Sequence, residues 1–407
     1  MMKWIDFSAV KYYVRSYIGW PTFIFAVCIA AKFLGFQLWP ADMVGYVMLI
    51  VAFGAVFFKG GSMDMLSLLF ILYIPLALLI ASPPALFNPW LRYGLFVLVF
   101  VVASPLLKHP KTIAFRGKVL AVLLWACALA GAGSFFCYFL GINLMGNVGA
   151  IQSLAGDAGL FGGLTNHSMT LGLIAGIGAV FSFSRAYQTK SKFYWGLCIC
   201  SLGGCFFAAS RSALMASIMG ILTLLYFQSS SKGKFFKRLI GIGFLLIITY
   251  PIWSFATAGV MTKQQRNEES GSGLSSREVV WNERIEEFKS SPIVGVGFSS
   301  MSLTSSNYNA STGIVEPGTS WLAVLSMTGL VGFLFFVGIY VRSLIRAIRA
   351  KVPDSPLLIG LLVLVGIHMT AEGYIFAGGS FSCFLVWLIM GYATYARKIP
   401  QLGFRLI

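Results

Sequence analysis

MTKQQRNEESGSGLSSREVVWNERIEEFKSSPIVGVGFSSMSLTSSNYNASTGIVEPG, residues 261–318, is the only long non-hydrophobic run in this chain, and its contrast with the flanking sequence decides the fold class. Within it, Ser275-Ser276-Arg277-Glu278 has the form of a capping box, and Trp281, Ile285 and Phe288 then recur at helical spacing. This pattern predicts a short amphipathic helix. Ser290-Ser291-Pro292 ends it, and Gly295-Val296-Gly297 permits a tight turn after it. Arg277, in the first turn, sits beside free backbone N–H groups and the positive end of the helix dipole, a combination suited to phosphate. It suits a solvated arginine on a surface helix equally well.

Outward from this run the chain is apolar. It has 407 residues, 58% of them hydrophobic and only 11% charged. With a mean hydropathy of +0.83, this places it among polytopic membrane proteins. The 7 cysteines all lie in apolar runs without a metal-ligand pattern and read as small core hydrophobes, with no metal site expected. No Walker loop, dinucleotide fingerprint, HExxH or GxSxG occurs, so nothing points to a nucleotide or other cofactor.

Apolar segments long enough to span a bilayer fall near 18–35, 41–58, 64–81, 90–107, 118–140, 165–183, 193–209, 212–228, 238–259, 319–341, 356–371 and 374–395. The expected fold is therefore all-α, with about 12 transmembrane helices and one long extracytoplasmic loop. It divides into residues 1–259 (spans 1–9), 260–318 (loop) and 319–407 (spans 10–12 and tail). The first span, preceded by Lys3, Lys11 and Arg15, reads as an anchor, not a cleaved signal. With both termini cytoplasmic, 22 of the 30 basic residues fall on the inside connections. That distribution assigns the net charge of +17 to membrane topology, not to nucleic acid. Lys32 and Arg92 lie within spans and are expected to snorkel.

This topology brings the residues least at home in a bilayer to the outer face. Ser210-Arg211 breaks two apolar segments, and Arg211 there either snorkels or pairs with Arg277 around a diphosphate. Glu316 precedes the rigid Pro317-Gly318 turn and suits either a general base or a salt-bridge partner. His368 and Glu372, four apart, would share one helix face as base or sugar clamp, or as a structural hydrogen bond, with Tyr374 close by. His167 follows a Gly-rich loop that permits close approach of a ligand, or is simply a loop.

Three stretches together resemble the bacterial O-antigen ligase and polymerase superfamily. They are Ser210-Arg211, the pattern from Ser276-Arg277 through Trp281 and Phe288 to Ser291-Pro292-Ile293-Val294-Gly295-Val296-Gly297, and Trp321-Leu322 with Met327-Thr328-Gly329-Leu330-Val331-Gly332. The likeness covers mainly residues 205–335. It implies a metal-independent glycosyltransferase in the bacterial inner membrane. Such an enzyme takes a glycan from undecaprenyl diphosphate at the periplasmic face, with the arginines matched by Arg211 and Arg277 binding the diphosphate. Implied partners are the lipid-linked oligosaccharide, an acceptor glycolipid, membrane lipids and other polysaccharide-assembly proteins. Ligases of this family usually carry a His-Asn pair just before the span that begins here at Thr319. This chain has Glu316-Pro317-Gly318 instead. The departure tilts the reading toward a repeat-unit polymerase of O-antigen or exopolysaccharide, with ligation to lipid A core as the alternative and transport of lipid-linked glycan as the competing class.

Overall fold

The computed structural model describes residues 14–35, 40–145, 161–229, 231–248, 277–303, 308–309, 314–315 and 318–398. The described elements are almost all helical. They are α1 (Trp20–Ala31), α2 (Ala41–Phe57), α3 (Met65–Ala81), α4 (Pro89–Ala103), α5 (Pro110–Phe139), α6 (Ser168–Thr189), α7 (Lys192–Phe207), α8 (Arg211–Gln228), α9 (Lys232–Ile248), α10 (Arg277–Ser290), α11 (Ser320–Ala350), α12 (Ser355–His368) and α13 (Phe381–Ala393). Inside the polar run, β1 (Tyr308–Asn309) and β2 (Ile314–Val315) form a two-residue antiparallel pair. The helices start where the sequence supplies start signals. Proline occupies the first turn of α1, α4 and α5, and the side chains of Asp64, Ser210 and Ser380 accept the first free N–H groups of α3, α8 and α13.

Five stretches, Ala85–Ala103, Pro110–Phe139, Ser168–Thr189, Arg211–Gln228 and Ser320–Ala350, are long and apolar enough to cross a membrane, and six shorter apolar helices accompany them. The chain is thus a helical, multi-pass membrane type of protein. The ninth expected span is described only as far as Ile248, and residues 249–259 lie outside the described residues.

Small residues set the close packing, as expected where lipid leaves no hydrophobic force between helices. The backbones of α5, α6 and α7 meet at Gly131, Gly178 and Gly204. A methyl group added at Gly131 would lie 2.8 Å from the Ala175 α-carbon. Helices α8 and α12 cross at Gly220 and Gly360, where a methyl on Gly360 would approach the Gly220 carbonyl oxygen to 2.8 Å.

Several boundaries differ from expectation: α5 starts at Pro110 instead of 118 and α11 runs to Ala350 instead of 341, and two more bear on the outer end. Helix α12 stops at His368 instead of running to 371, and α13 starts at Phe381 instead of 374. The cause is competition for carbonyls. The Ser320 N–H bonds to the carbonyls of Met369 and Glu372, both at 2.9 Å, so they are engaged by another helix instead of continuing α12. Residues 369–380 accordingly form turns.

Basic residues expected on the inside gather at one end of the bundle and are fastened there. The Asp64 carboxylate accepts two bonds from Arg342 and faces Lys108 at 3.8 Å. Arg185 pairs with Asp354 at 2.9 Å. Arg116, fully buried, donates to the carbonyls of Val102, Leu107 and Val101 at 2.8, 2.9 and 3.1 Å, capping the end of α4. An arginine that counts as a topology signal in the sequence is therefore also a structural cap.

Candidate active site

At the opposite end the chain brings together α10, the loop behind it, the start of α11 and the turns after α12. The organising feature is a break in α11. At Gly329 the backbone takes φ 63° and ψ −172°, which interrupts the helix between Thr328 and Leu330. The groups it frees are taken up by the loop 291–297. Val296 N–H donates to the Ser326 carbonyl at 2.9 Å, Gly297 N–H to that of Met327 at 3.2 Å, and Leu330 N–H to that of Pro292 at 2.8 Å. The Tyr73 hydroxyl, from α3, bonds the carbonyls of Ile293 and Thr328 at 3.0 and 3.1 Å. Gly295 (φ +76°) and Gly297 (φ +104°) give the loop its path, and a methyl on Gly295 would come to 2.5 Å from the Ser326 oxygen. Two of the three stretches that carry the family resemblance are thus the two sides of one backbone seam. Irregular backbone inside a membrane protein needs this kind of protein-supplied partner.

Helix α10 lies on that seam, but not in the register read from the sequence. Its buried positions are Val280, Arg284 and Glu287, whereas Ile285 is exposed and Trp281 and Phe288 are half-buried. The face is displaced by one residue because the surface beneath it is polar. The Arg284 guanidinium, 1% exposed, bonds Glu287 at 2.8 Å, the Ser300 carbonyl at 3.2 Å and the Ser326 hydroxyl at 3.4 Å. Glu287 accepts from Ser302 N–H at 2.8 Å. Burial pulls the Arg284 guanidinium below its ordinary value, and the Glu287 carboxylate opposes this. At the other end of the buried stripe, the Val280 side chain presses on Gly318 (φ +65°), so the start of α10 lies beside the turn that leads into α11.

A second clamp fixes that turn. Thr319 and Ser320 hydroxyls donate to the carbonyls of Met369 and Glu372 at 3.1 and 2.7 Å, and Tyr374 N–H donates back to the Ser320 hydroxyl at 3.1 Å. Below it, the His368 Nδ1 and the Tyr374 hydroxyl share a hydrogen bond of 3.1 Å, with His368 only 1% exposed. Burial, and then the Glu372 carboxylate, push the Tyr374 phenol well above its ordinary value, so it stays protonated at neutral pH. Helix α12 ends before Glu372, so His368 and Glu372 do not share a helix face as expected, and the imidazole bonds Tyr374 beside it.

Arg211 is exposed at the first position of α8, and Ser210 caps that helix through Ala213 N–H at 3.4 Å. The Gly220–Gly360 crossing sets its level. Nine residues back along α8 and eight forward along α12 are about 13 and 12 Å at 1.5 Å per residue, which puts Arg211 and His368 at the same end of neighbouring helices. Arg277 opens α10, but its side chain lies outside the described residues, as do Glu316, Pro317 and the Ser275-Ser276 cap. His167 is exposed and caps α6, accepting from Met169 N–H at 3.2 Å. The Gly-rich loop before it is taken up by the chain itself, with Gly35 N–H bonding the Leu164 carbonyl at 2.8 Å and Asn166 N–H that of Phe33 at 3.1 Å.

Sequence reasoning passed over Arg284, Glu287 and Ser299, and read Arg92 only as a snorkelling cation, whereas it bonds the Ser299 hydroxyl at 3.1 Å. The i, i+3 spacing of Arg284 and Glu287 was the available signal. Arg92 carried none, being a lone cation at the start of an apolar helix.

A family model described as O-antigen ligase matches residues 196–337. Residues 196–337 are thus similar to an O-antigen ligase domain. No curated protein matches the chain. The domain takes in most of α7, all of α8, α9 and α10, the seam loop, and α11 through its break, and so includes Ser210, Arg211, Arg277 and Glu316. His368, Glu372 and Tyr374 lie beyond its boundary and clamp it from outside. The match supports a membrane glycosyltransferase of ligase or polymerase type, a class that acts on a lipid-linked glycan and an acceptor.

Proposed function

We propose that the chain polymerises repeat units of O-antigen or exopolysaccharide at the periplasmic face of the inner membrane, using undecaprenyl-diphosphate-linked oligosaccharide as donor and a second lipid-linked unit as acceptor. The observation that carries the reading is the convergence at one end of the bundle of α10's first turn, the Gly318 turn, the His368–Tyr374 pair and the exposed Arg211. The acceptor hydroxyl oxygen attacks the anomeric carbon of the donor sugar. The bond from that carbon to the diphosphate oxygen breaks, and the electron pair leaves with the diphosphate, whose growing charge Arg211 and Arg277 stabilise. The hydroxyl proton goes to Glu316. His368 is too deeply buried to meet the acceptor directly, and its pair with Tyr374 supports the Gly318 turn that follows Glu316 in the sequence, with Glu372 anchoring that turn through its carbonyl. Ser210 and His167 border the same end, where they would touch the glycan. No metal or other cofactor enters this chemistry.

Ligation to lipid A core is the second reading, favoured by the description of the matching family. The two separate in one assay of purified protein with EDTA and a lipid-diphosphate oligosaccharide. A ladder of longer lipid-linked glycans, reduced roughly a hundredfold in Arg277→Ala, establishes the polymerase. Release of lipid diphosphate only when lipid A core is added establishes the ligase. Absence of turnover with either acceptor overturns both and leaves transport.

A further inference from the structure

A cavity of about 230 Å³ lies on the α4 side of α11, away from α8 and Arg211. Its walls are Ala323 and Met327 of α11, Leu95 of α4 and the 373–379 turn with Ile375 and Phe376, and Arg92 is the one charged lining group among the described residues. Arg92 donates from a terminal nitrogen to the Ser299 hydroxyl at 3.1 Å. Ser299 is buried and holds a left-handed backbone, φ +55°, where a non-glycine residue is strained. Such strain persists where surrounding structure fixes it, and here it presents the hydroxyl to Arg92 at the mouth of the seam loop. Gly378 lets the turn lie directly on the backbone of α4, where a methyl would come to 2.7 Å from Phe96 N, and so brings the turn against the helix that carries Arg92. A planar guanidinium fork, steadied by a hydroxyl and walled by apolar groups, suits an oxyanion on a compact carrier. The volume is below the roughly 300 Å³ at which pockets for drug-sized ligands begin, so it admits one sugar-sized unit.

We propose that this cavity is a second anion subsite, which holds a carboxylate or phosphate borne by one sugar of the acceptor while Arg211 and Arg277 hold the donor diphosphate. Assignment to the acceptor rests on the glycosyltransferase reading; the cavity's preference for an oxyanion does not. The two parts are therefore tested separately, first by binding and then by turnover. Purified protein is titrated with glucuronic acid, glucose 1-phosphate and glucose. The expected result is binding of an anionic sugar and not of glucose, weakened about tenfold or more in Arg92→Gln and abolished in Ala377→Trp, which adds a large side chain to the lining while leaving the arginine in place. Binding is expected to be unchanged in Arg211→Ala. The preferred anion distinguishes an acidic sugar from a phosphate-bearing one. Equal binding of glucose, loss in Arg211→Ala, persistence in both cavity variants, or no binding of either anion overturns the subsite. Should Arg92→Gln fail to fold, Ala377→Trp alone decides. In turnover, Arg92→Gln is expected to raise the acceptor KM with little change in the donor KM. Anion binding that depends on Arg92 without that asymmetry would retain the subsite and refute its assignment to the acceptor.

Discussion

Replacing Gly329 by alanine tests whether the seam between loop 291–297 and α11 holds the site together. The glycine occupies φ 63°, ψ −172°, a region essentially closed to other residues, and forcing alanine into it costs about 1–3 kcal/mol. The added methyl also runs into the Ile293 carbonyl and comes to 2.6 Å from Val294 N, both backbone atoms that cannot step aside. The loop must lift, and the three bonds from Val296, Gly297 and Leu330 N–H groups go with it, each worth roughly 0.5–1.5 kcal/mol. The sum, about 2.5–7.5 kcal/mol, is a large share of a typical folding stability of roughly 5–15 kcal/mol. The expected outcome is therefore local: residues 291–303 exchange their amide hydrogens fast, glycosyl transfer is lost, and the far end of the bundle stays protected. Hydrogen exchange read by mass spectrometry on protein in lipid nanodiscs measures this. Gly94→Ala, at a position with open space around it, is the control and is expected to behave as the unaltered protein. Unchanged protection of 291–303 in Gly329→Ala would refute the argument.

Three further outcomes follow from the packing. Arg284→Met strands Glu287 in the seam and is expected to lower the melting temperature by an amount equivalent to about 3–5 kcal/mol, whereas Arg284→Met with Glu287→Leu recovers most of it; equal losses in both would sink the pairing. Desolvation would raise the Asp64 carboxyl, but bonds from Arg342 and Ser67 outweigh it and hold it below its ordinary 3.8, so its contribution is complete above that value and fades as pH falls through the lower folded value. Asp64→Asn is thus expected to flatten the acid limb of a stability–pH curve, and an unchanged limb would count against it. Tyr374→Phe removes the bond to His368 and is expected to lower kcat several-fold with the melting temperature nearly unchanged; a loss of stability with unchanged turnover would make the pair purely structural.

How much could be read in advance depended on whether a residue's partner was near it in sequence. The start of α10 near Arg277, its stop at Ser290-Ser291-Pro292 and the turn through Gly295 and Gly297 are local chemistry, and they stand as read. The buried face of α10 was not legible, because apolar periodicity favoured Trp281, Ile285 and Phe288 while the surface it meets is made of carbonyls and hydroxyls. The break at Gly329 sits in an unbroken apolar run and becomes a break only because a loop more than thirty residues earlier supplies its hydrogen bonds. Likewise the end of α12 at His368 depends on Ser320, far back in the chain. Arg92 reads as a membrane anchor until Ser299 is placed against it.

The loop and α11 are joined by main-chain atoms and held apart by glycines, so the side chains along the join take little part in it. Ile293 is 66% exposed and Leu330 48%. Substitutions at Ile293, Val294 and Leu330 should therefore alter the shape and greasiness of the surface beside the site while the backbone bonds remain. A library of variants at these three positions is the economical route to a chain that accepts a different glycan, since it changes what the surface offers without loosening how it is held.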